Sequence, residues 1–198
     1  MDDIVKQAMA KWPNVPDCYG WLSLDARGAW RMRDERAQQL DLPGDKVKQA
    51  ALLSFINRNY AADARGCWFF QNGPQRVFVN LEATPFIART DPVNGLTVQT
   101  GATLTPQAAY LTETGALILT ADEVVAQVDD RDVVQLLESM RIDGKDAGDD
   151  ALMAWLEGGA GTMTMRHAGG EVPVQRIDGS AVAHRFQFVR LPGPAEKN

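Results

Sequence analysis

The sequence predicts an α+β fold with mostly antiparallel sheets and about four helices, arranged in two lobes. Short segments with an apolar residue at every second position are typical of strands. Glycine-containing turns between these segments favour antiparallel hairpins, and four other segments have apolar residues at helical spacing. The turn-rich segment TDPVNG divides the chain, so we expect one lobe over residues 1–91, a second over residues 96–191 and a tail over residues 192–198.

Composition and charge limit the partners that we expect. The chain has 198 residues, of which 45% are hydrophobic and 23% are charged, and its formal net charge is −6. That charge disfavours nucleic acid as a partner. The N-terminus MDDIVKQAMAKWP lacks the basic start and apolar core of a signal peptide, and no apolar run approaches the ~20 residues that span a bilayer. We expect a cytoplasmic protein without a membrane partner, and the oligomeric state stays open.

The first half begins with a predicted helix over residues 2–11, which ends before Pro13 because a residue preceding proline avoids the helical conformation. YGWLSL and AWRM then alternate on either side of DARG. Asp25 and Gly28 suit the first and fourth positions of a type I turn, so this DARG is predicted to close a hairpin.

A helix is predicted over residues 46–60, where Leu52, Leu53 and Ile56 have helical spacing. The second DARG-containing segment, DARGCW, follows directly, so we expect it to connect this helix to the strand GCWFFQ. The turn NGPQ then leads into the strand RVFVNL.

The second half is predicted to contain more strands than helices. The predicted elements, in chain order, are the strand LTVQT, the hairpin AAYLTETGALILT, the strand EVVAQV, a helix over residues 130–140 capped by Asp129 or Asp130, and a short helix at ALMAWLE. The valines of EVVAQV favour a strand, although Thr120 and Glu123 would also fit a capping box. An antiparallel meander of TMTMRH, VPVQRI and AVAHRFQFVR should end the second lobe.

The order hairpin, helix, strand pair occurs twice, which predicts an internal structural repeat. The two sets comprise residues 19–33, 46–60 and 66–81, then residues 109–120, 130–140 and 162–177. Coincidence remains the alternative, because the second set contains an additional helix and the two DARG segments occupy different places within the first set.

One local group of arginines and tryptophans is the candidate binding site. The candidate ligand-binding or partner-binding residues are Arg27, Trp30, Arg31, Arg33 and Arg65. Guanidinium groups and indole rings suit a carboxylate, a phosphate or an acidic protein segment. The alternative is an exposed hairpin surface whose charge is balanced by Asp34 and Glu35.

Neither catalysis nor metal binding is predicted. Cys67 could be a nucleophile, but the sequence around it has no known signature, and a small apolar residue in a covered strand is the simpler interpretation. A Gly169-Gly170 turn would pair His167 with Val172 and place His184 on the face of Arg166, which separates the two histidines. No spacing typical of calcium, phosphate or dinucleotide binding is present, so no cofactor is expected.

Four segments resemble proteobacterial proteins that are grouped as domains of unknown function. They are the hairpin WLSLDARGAW, the following helix, the segment ATPFIA and the segment LTVQTG. The resemblance covers about two thirds of the chain, and its motifs are structural. It implies a two-lobed α+β protein with repeated motifs and a regulatory or signalling role.

These observations together predict a non-enzymatic cytoplasmic module that binds a protein or a small anionic ligand. Two alternatives stay open at this point. One is a thiol-dependent hydrolase that uses Cys67, and the other is a structural subunit of a larger assembly.

Overall fold

The computed structural model describes residues 1–194, and in this range the alternating apolar residues form two β-sheets. The chain folds into two compact units. Within this range unit 1 contains residues 1–85 and 187–194, and unit 2 contains Phe86–Phe186. The predicted domain boundary at residues 91–96 stays a prediction. The predicted tail, residues 192–198, extends beyond the described residues after Pro194.

The described part of unit 1 contains three helices and six strands. Its elements are α1 (Asp3–Lys11), β1 (Cys18–Leu24), β2 (Trp30–Met32), α2 (Glu35–Gln39), β3 (Asp45–Lys46), α3 (Ala50–Arg58), β4 (Tyr60–Ala62), β5 (Trp68–Asn72) and β6 (Gln75–Leu81). The strand order in the sheet is β3-β2-β1-β6-β5-β4. All neighbours are antiparallel except β1 and β6, which are parallel.

Unit 2 contains three helices and nine strands. Its elements are β7 (Phe86–Asp91), β8 (Gly95–Val98), β9 (Ala108–Thr112), β10 (Leu117–Ala121), β11 (Val124–Val128), α4 (Asp130–Leu137), β12 (Met140–Ile142), β13 (Lys145–Asp146), α5 (Asp149–Leu156), β14 (Met163–His167), β15 (Gly170–Ile177), a 3₁₀ turn (Gly179–Ala181) and α6 (Val182–Arg185). The strand order is β13-β12-β14-β15-β9-β10-β11-β7-β8. The pairs β15–β9 and β11–β7 are parallel.

The α+β fold with mostly antiparallel sheets is confirmed, but the number of helices was underestimated. Six α-helices lie within the described residues, and four of them are the predicted ones. The two additional helices, α2 and α6, are only five and four residues long. Such short helices have no detectable apolar period. Asp34 begins α2 by accepting a hydrogen bond from the Ala37 amide at 2.7 Å.

The two units contain the same six-stranded arrangement. In unit 2 the strands β11-β10-β9-β15-β14-β12 follow the order and the directions of β3-β2-β1-β6-β5-β4 in unit 1. Helix α3 or α4 precedes the corresponding strand, β4 or β12. The predicted repeat is therefore present in the topology, and β13 with α5 is an insertion in the second copy.

Matching backbone hydrogen bonds fix the correspondence residue by residue. At the end of α3 the Asn59 amide donates to the Ile56 carbonyl, and at the end of α4 the Ser139 amide donates to the Leu136 carbonyl. The next strand pairs also match, because the Gln71 amide donates to Asn59 and the Arg166 amide donates to Ser139. Gln71 and Arg166 therefore occupy equivalent positions.

The prediction that the second DARG connects a helix to a strand was wrong. Strand β4 lies between α3 and this turn and pairs with β5, so residues 63–66 close a hairpin as residues 25–28 do. In both turns the fourth residue is a glycine with φ of +76° and donates to the aspartate carbonyl. Both aspartates also accept from the amide four residues on, at 2.8 Å from Ala29 and 2.9 Å from Cys67. Strand β4 has only three residues, so its sequence shows no recognisable alternation of apolar and polar positions.

Two further local predictions need correction. The helix predicted over residues 46–60 begins only at Ala50, because residues 45–46 form the edge strand β3. The predicted meander has two strands instead of three, since the chain after Asp178 forms the 3₁₀ turn and α6. The Asp178 side chain accepts from the Ser180 amide at 2.7 Å, which starts a helical turn and not a hairpin.

The positions expected for the two histidines in the sheet also need correction. His167 pairs with Gly170 and not with Val172, because residues 168–169 form the two-residue turn. His184 lies in α6, so it has no place in the sheet.

Aromatic packing covers one face of the unit 1 sheet. The Trp30 and Tyr60 rings meet edge to face at 5.0 Å, Tyr60 contacts Trp68 at 4.8 Å, and Phe55 of α3 meets Phe70 at 5.3 Å. In unit 2 one apolar core joins residues from β7 to β15 and includes Leu136 of α4. Each sheet therefore has its own core.

The glycine at the end of a DARG turn is expected to matter most where another segment packs on it. A Cβ at Gly66 would collide with the Gln187 carbonyl oxygen, whereas a Cβ at Gly115, in the similar hairpin turn TETG with φ of +81°, would meet nothing within 4 Å. Gly115→Ala should cost about 1–2 kcal/mol of stability through backbone strain alone. Gly66→Ala should cost more, as measured by urea unfolding followed by circular dichroism. Equal losses in the two variants would contradict this packing.

The carboxylate of Asp129 is expected to make stability depend on pH. Asp129 is 1% exposed, caps α4 through the Arg131 amide at 3.2 Å and pairs with Arg89 at 3.1 Å. Hydrogen bonds from the Arg131 side chain, opposed by burial, hold the pKa of Asp129 well below its usual value. Because the unfolded chain binds this proton first as the pH falls, the stabilisation is present above about pH 4 and is lost toward the folded-state pKa.

Asp129→Asn should therefore lower the free energy of unfolding by about 1–3 kcal/mol at pH 7. The difference from the wild type should shrink as urea unfolding is repeated at lower pH, down to pH ~3. Asp150→Asn, at an exposed position in the first turn of α5, is the control and should change stability by less than about 0.5 kcal/mol. A difference that stays constant with pH would refute the role of the Asp129 charge.

Candidate functional site

Two of the predicted binding residues, Arg31 and Arg33, hold a loop of unit 1. Arg31 donates to the Gly44 carbonyl at 3.1 Å, and its Nε also pairs with Asp25 at 2.8 Å. Arg33 is 9% exposed and donates to the Leu42 carbonyl at 3.0 Å. It also pairs with Asp41, a residue with positive φ, at 2.8 Å. The structure brings these two arginines together around residues 41–44, where their guanidinium groups have intramolecular acceptors.

The other three predicted residues lie in different environments. Trp30 is 2% exposed, and its Nε1 donates to the Asn57 side chain at 2.8 Å, so the indole is part of the core. Arg27 is exposed in the first DARG turn. Arg65 lies in the second DARG turn, where it pairs with Asp63 at 2.9 Å and donates to the Gly193 carbonyl at 3.3 Å. Strand β6 separates the two hairpins in the sheet.

An open groove in unit 1 adjoins Arg33. It has a volume of about 540 Å³ and is lined by Trp21, Met32, Arg33, Asp34, Arg36, Ala37, Leu42, Pro43, Gly44 and Asp45. Trp21, Met32 and Leu42 are exposed apolar side chains here. Acidic and basic groups both border the groove, so its charge selects no particular partner.

A more enclosed cavity lies in unit 2. It has a volume of about 460 Å³, which is within the range typical of small-molecule sites. Its lining residues are Thr90, Asp91, Pro92, Asn94, Gly95, Leu96, Thr103, Leu104, Thr105, Gln135, Leu136, Arg166, His167, Ala168 and Gly169. Three separate parts of the unit therefore meet here: the β7–β8 turn with the chain after β8, the second half of α4, and the β14–β15 turn.

The cavity combines an apolar part with a polar part. Leu96, Leu104 and Leu136 are buried. Among the polar groups, the His167 Nδ1 accepts from the Gly169 amide at 3.1 Å. Since Nδ1 is an acceptor, the neutral ring carries its hydrogen on Nε2 and can donate there. A Cβ at Gly169 would lie 2.8 Å from the His167 ring and 3.2 Å from the Thr105 methyl group, so a glycine keeps this corner compact.

One acidic residue, Asp91, also lines the cavity. One of its carboxylate oxygens accepts from the Asn94 amide at 2.7 Å and from the Val93 amide at 3.0 Å. These backbone hydrogen bonds hold the pKa of Asp91 below its usual value. The group therefore stays charged at neutral pH and balances part of the positive potential in the cavity.

Arg166 differs from most arginines of the chain. Within residues 1–194, only Arg36 and Arg166 have neither a hydrogen bond nor an ion pair nor a ring contact through the guanidinium group. Arg36 lines the unit 1 groove, and Arg166 lines the unit 2 cavity. An unpaired guanidinium at a concave surface is available to an external anion.

The internal repeat offers a comparison for Arg166. Its equivalent in unit 1, Gln71, is 1% exposed and donates to the Gly73 carbonyl at 2.9 Å. The same strand position thus accommodates a buried neutral side chain in one copy and an exposed unpaired cation in the other. Because the fold is built with either residue, the arginine is not required by the sheet itself.

Neither cysteine has the environment of an activated thiol. Cys67 is 3% exposed and packs against Phe69 and Phe78. Burial and the nearby Asp63 charge raise the pKa of the Cys67 thiol, and burial raises the pKa of Cys18. Among the described residues, no group of three or more His, Cys, Asp or Glu side chains is arranged to hold a metal ion.

Sequence reasoning missed Arg166 and considered His167 only as a metal ligand. No pattern in TMTMRH distinguishes a free arginine from a paired one, since pairing depends on residues far away in the chain. The two-residue turn after His167 was the one local signal, and it was placed one residue too late.

The two arginines on either side of the α2 start are expected to differ in their effect on stability. Arg33→Ala removes three donor contacts, two of them to the loop at residues 41–44, and should cost about 2 kcal/mol in urea unfolding, mainly because the Ala37 and Leu42 carbonyl groups lose their donor. The Asp41 carboxylate is exposed and adds little to this loss. Arg36→Ala, which removes no contact, should change stability by less than about 0.5 kcal/mol. Similar values for the two variants would show that Arg33 does not hold the loop.

No helix in the described part of the chain is both long enough and apolar enough to cross a membrane. No curated protein sequence matches the chain. One solved structure, the crystal structure of a DUF1285 family protein from Silicibacter pomeroyi DSS-3, is similar at 14% identity over 88% of this chain and 79% of that chain, with a TM-score of 0.29. At these values the similarity carries no argument about function. The DUF2944 family model, described as "Protein of unknown function (DUF2946)", matches residues 1–193, and the chain therefore belongs to this family of unknown function.

Proposed function

We propose that the protein is a non-enzymatic, cytoplasmic bacterial module that binds a small molecule in the unit 2 cavity and thereby serves a regulatory role. The observation that carries the proposal is the unpaired Arg166 in the lining of a partly open cavity of about 460 Å³. A concave site with an apolar floor and a few polar groups is the usual form of a small-molecule site.

The construction of the cavity supports a regulatory role. Its lining comes from three segments that are distant in sequence, so a ligand that touches all three would hold the β7–β8 turn, α4 and the β14–β15 turn together. Ligand binding to the folded state alone raises the stability of that state. A change in local order on binding is a means by which such a module could signal.

The features of Cys67 favour binding over thiol catalysis. A nucleophilic cysteine needs a depressed pKa and access to its substrate. Cys67 is buried and the pKa of its thiol is raised. These features argue against a catalytic role of Cys67, and a binding role of the protein is the better supported one.

A fragment screen monitored by ¹H–¹⁵N correlation spectra tests the site. Binding fragments should shift the backbone amides of Arg166, His167 and Gly169, because these residues line the cavity. Gln135→Trp should weaken the binding of these fragments by roughly tenfold, since a large ring at the rim would occupy the cavity. Val134→Trp is the control on the same helix, at an exposed position outside the lining, and should leave binding unchanged.

Two results would argue against a binding role of the cavity. One is a screen without a fragment that shifts these amides. The other is equal weakening by Gln135→Trp and Val134→Trp, which would indicate a general effect on unit 2.

A further inference from the structure

The polar groups of the unit 2 cavity define a ligand class more narrowly than the proposed function, on which this inference rests. We infer that the cavity selects a small organic monocarboxylate with a short apolar body, whose carboxylate pairs with Arg166. The inference depends on three features of the cavity: its charge balance, its hydrogen-bond donors and its apolar floor.

The charge balance favours one negative charge on the ligand. Besides His167, the lining contains two ionisable residues, the cation Arg166 and the anion Asp91. A guanidinium group pairs with a carboxylate through two parallel hydrogen bonds. The Asp91 charge in the same cavity would repel the second charge of a phosphate monoester. One cation and one anion therefore suit a monoanion better than a dianion.

The donors next to Arg166 fit the same group. The His167 ring accepts from the Gly169 amide through Nδ1, which leaves the Nε2 hydrogen as its donor. The Thr105 side chain lies at the same corner, since both it and the ring approach Gly169 closely. A carboxylate held by Arg166 could therefore accept further hydrogen bonds from neutral donors, which add no charge.

The apolar floor decides what the carboxylate is attached to. Leu96, Leu104 and Leu136 form the apolar part of the lining and are buried. Polar substituents placed there would lose water without gaining partners, because these side chains offer no hydrogen bonds. The carboxylate should therefore be carried by a short hydrocarbon or by a ring of similar size.

This chemistry belongs to the second repeat alone. The residues equivalent to Arg166 and His167 are Gln71 and Asn72, which have no permanent charge. Gln71 is buried and uses its amide for the adjacent turn. The sheet itself thus tolerates the neutral pair, and in unit 2 the Arg166 guanidinium and the Nε2 hydrogen of His167 are left for a ligand.

Three probes of matched shape test the inference. Hexanoate carries one negative charge, hexanamide is its neutral isostere, and hexyl phosphate carries close to two negative charges at neutral pH and above. Titrations of the full chain, followed at the amides of Arg166, His167 and Gly169, should show hexanoate binding roughly tenfold more tightly than hexanamide. Hexyl phosphate should bind no more tightly than hexanoate.

Two variants identify the responsible residue. Arg166→Gln introduces the residue of the equivalent position in unit 1 and should reduce the affinity for hexanoate to that for hexanamide. Arg36→Gln, which changes the other unpaired arginine, should leave both affinities unchanged. Because both side chains are exposed and unpaired, both variants should fold, and unchanged dispersion of the spectra away from the cavity verifies this.

The outcomes separate the inference from the proposed function. Equal binding of hexanoate and hexanamide at these amides would overturn the carboxylate assignment while the cavity remained a binding site. Tighter binding of hexyl phosphate by tenfold or more would overturn the monoanion assignment. If none of the three probes shifts these amides, the inference is wrong, and if no fragment of the screen does so either, the proposed function is wrong as well.

Discussion

The parallel pair between the first and the last strand of each repeat is the contact on which the rest of both sheets depends. In unit 1 the residues Leu22 and Leu24 of β1 lie beside Val79 and Leu81 of β6, and all four are buried. This pair joins two antiparallel groups of strands that are otherwise separate. A parallel pair requires a long connection, so the helix and the edge strands must be placed within it. The same pair, β9 with β15, organises unit 2.

The repeated frame permits different functions in its two copies. Both copies have the same backbone hydrogen bond between the residue after the helix and the neighbouring strand. In unit 1 the Gln71 amide donates to the Asn59 carbonyl, and in unit 2 the Arg166 amide donates to the Ser139 carbonyl. The side chains on that strand are under no such constraint. In unit 1 this position holds the buried side chain of Gln71, and in unit 2 it holds Arg166, which lines the cavity. Comparison of the two copies thus separates what the fold requires from what a ligand would require.

The arginines of this chain illustrate how weakly residue type alone indicates a role. Arg31 and Arg33 stabilise a loop by donating to its carbonyl groups, and Arg65 pairs with the aspartate of its own turn. All three were as plausible for binding as Arg166 in the sequence. A guanidinium has five donors and is used wherever acceptors converge, whether these belong to the chain or to a ligand. Only the positions of the acceptors distinguish the two uses.

Local patterns in the sequence by themselves determined the α+β class, most hairpins, the presence of α3 and α4, and an aspartate cap of α4 at residue 129 or 130. These features depend on residues within a few positions of one another, because side-chain period and turn chemistry act over that distance. The same locality explains the errors: β4, α2 and α6 are too short to carry a period, and the turn at Asp178 begins in the same way for a hairpin and for a helix. The tertiary structure alone decided the parallel pairing of β1 with β6, the return of the chain at Gln187 to unit 1, and which arginines, Arg166 among them, have no intramolecular partner. Each of these depends on which distant groups meet and satisfy one another, and that information is not contained in any short segment.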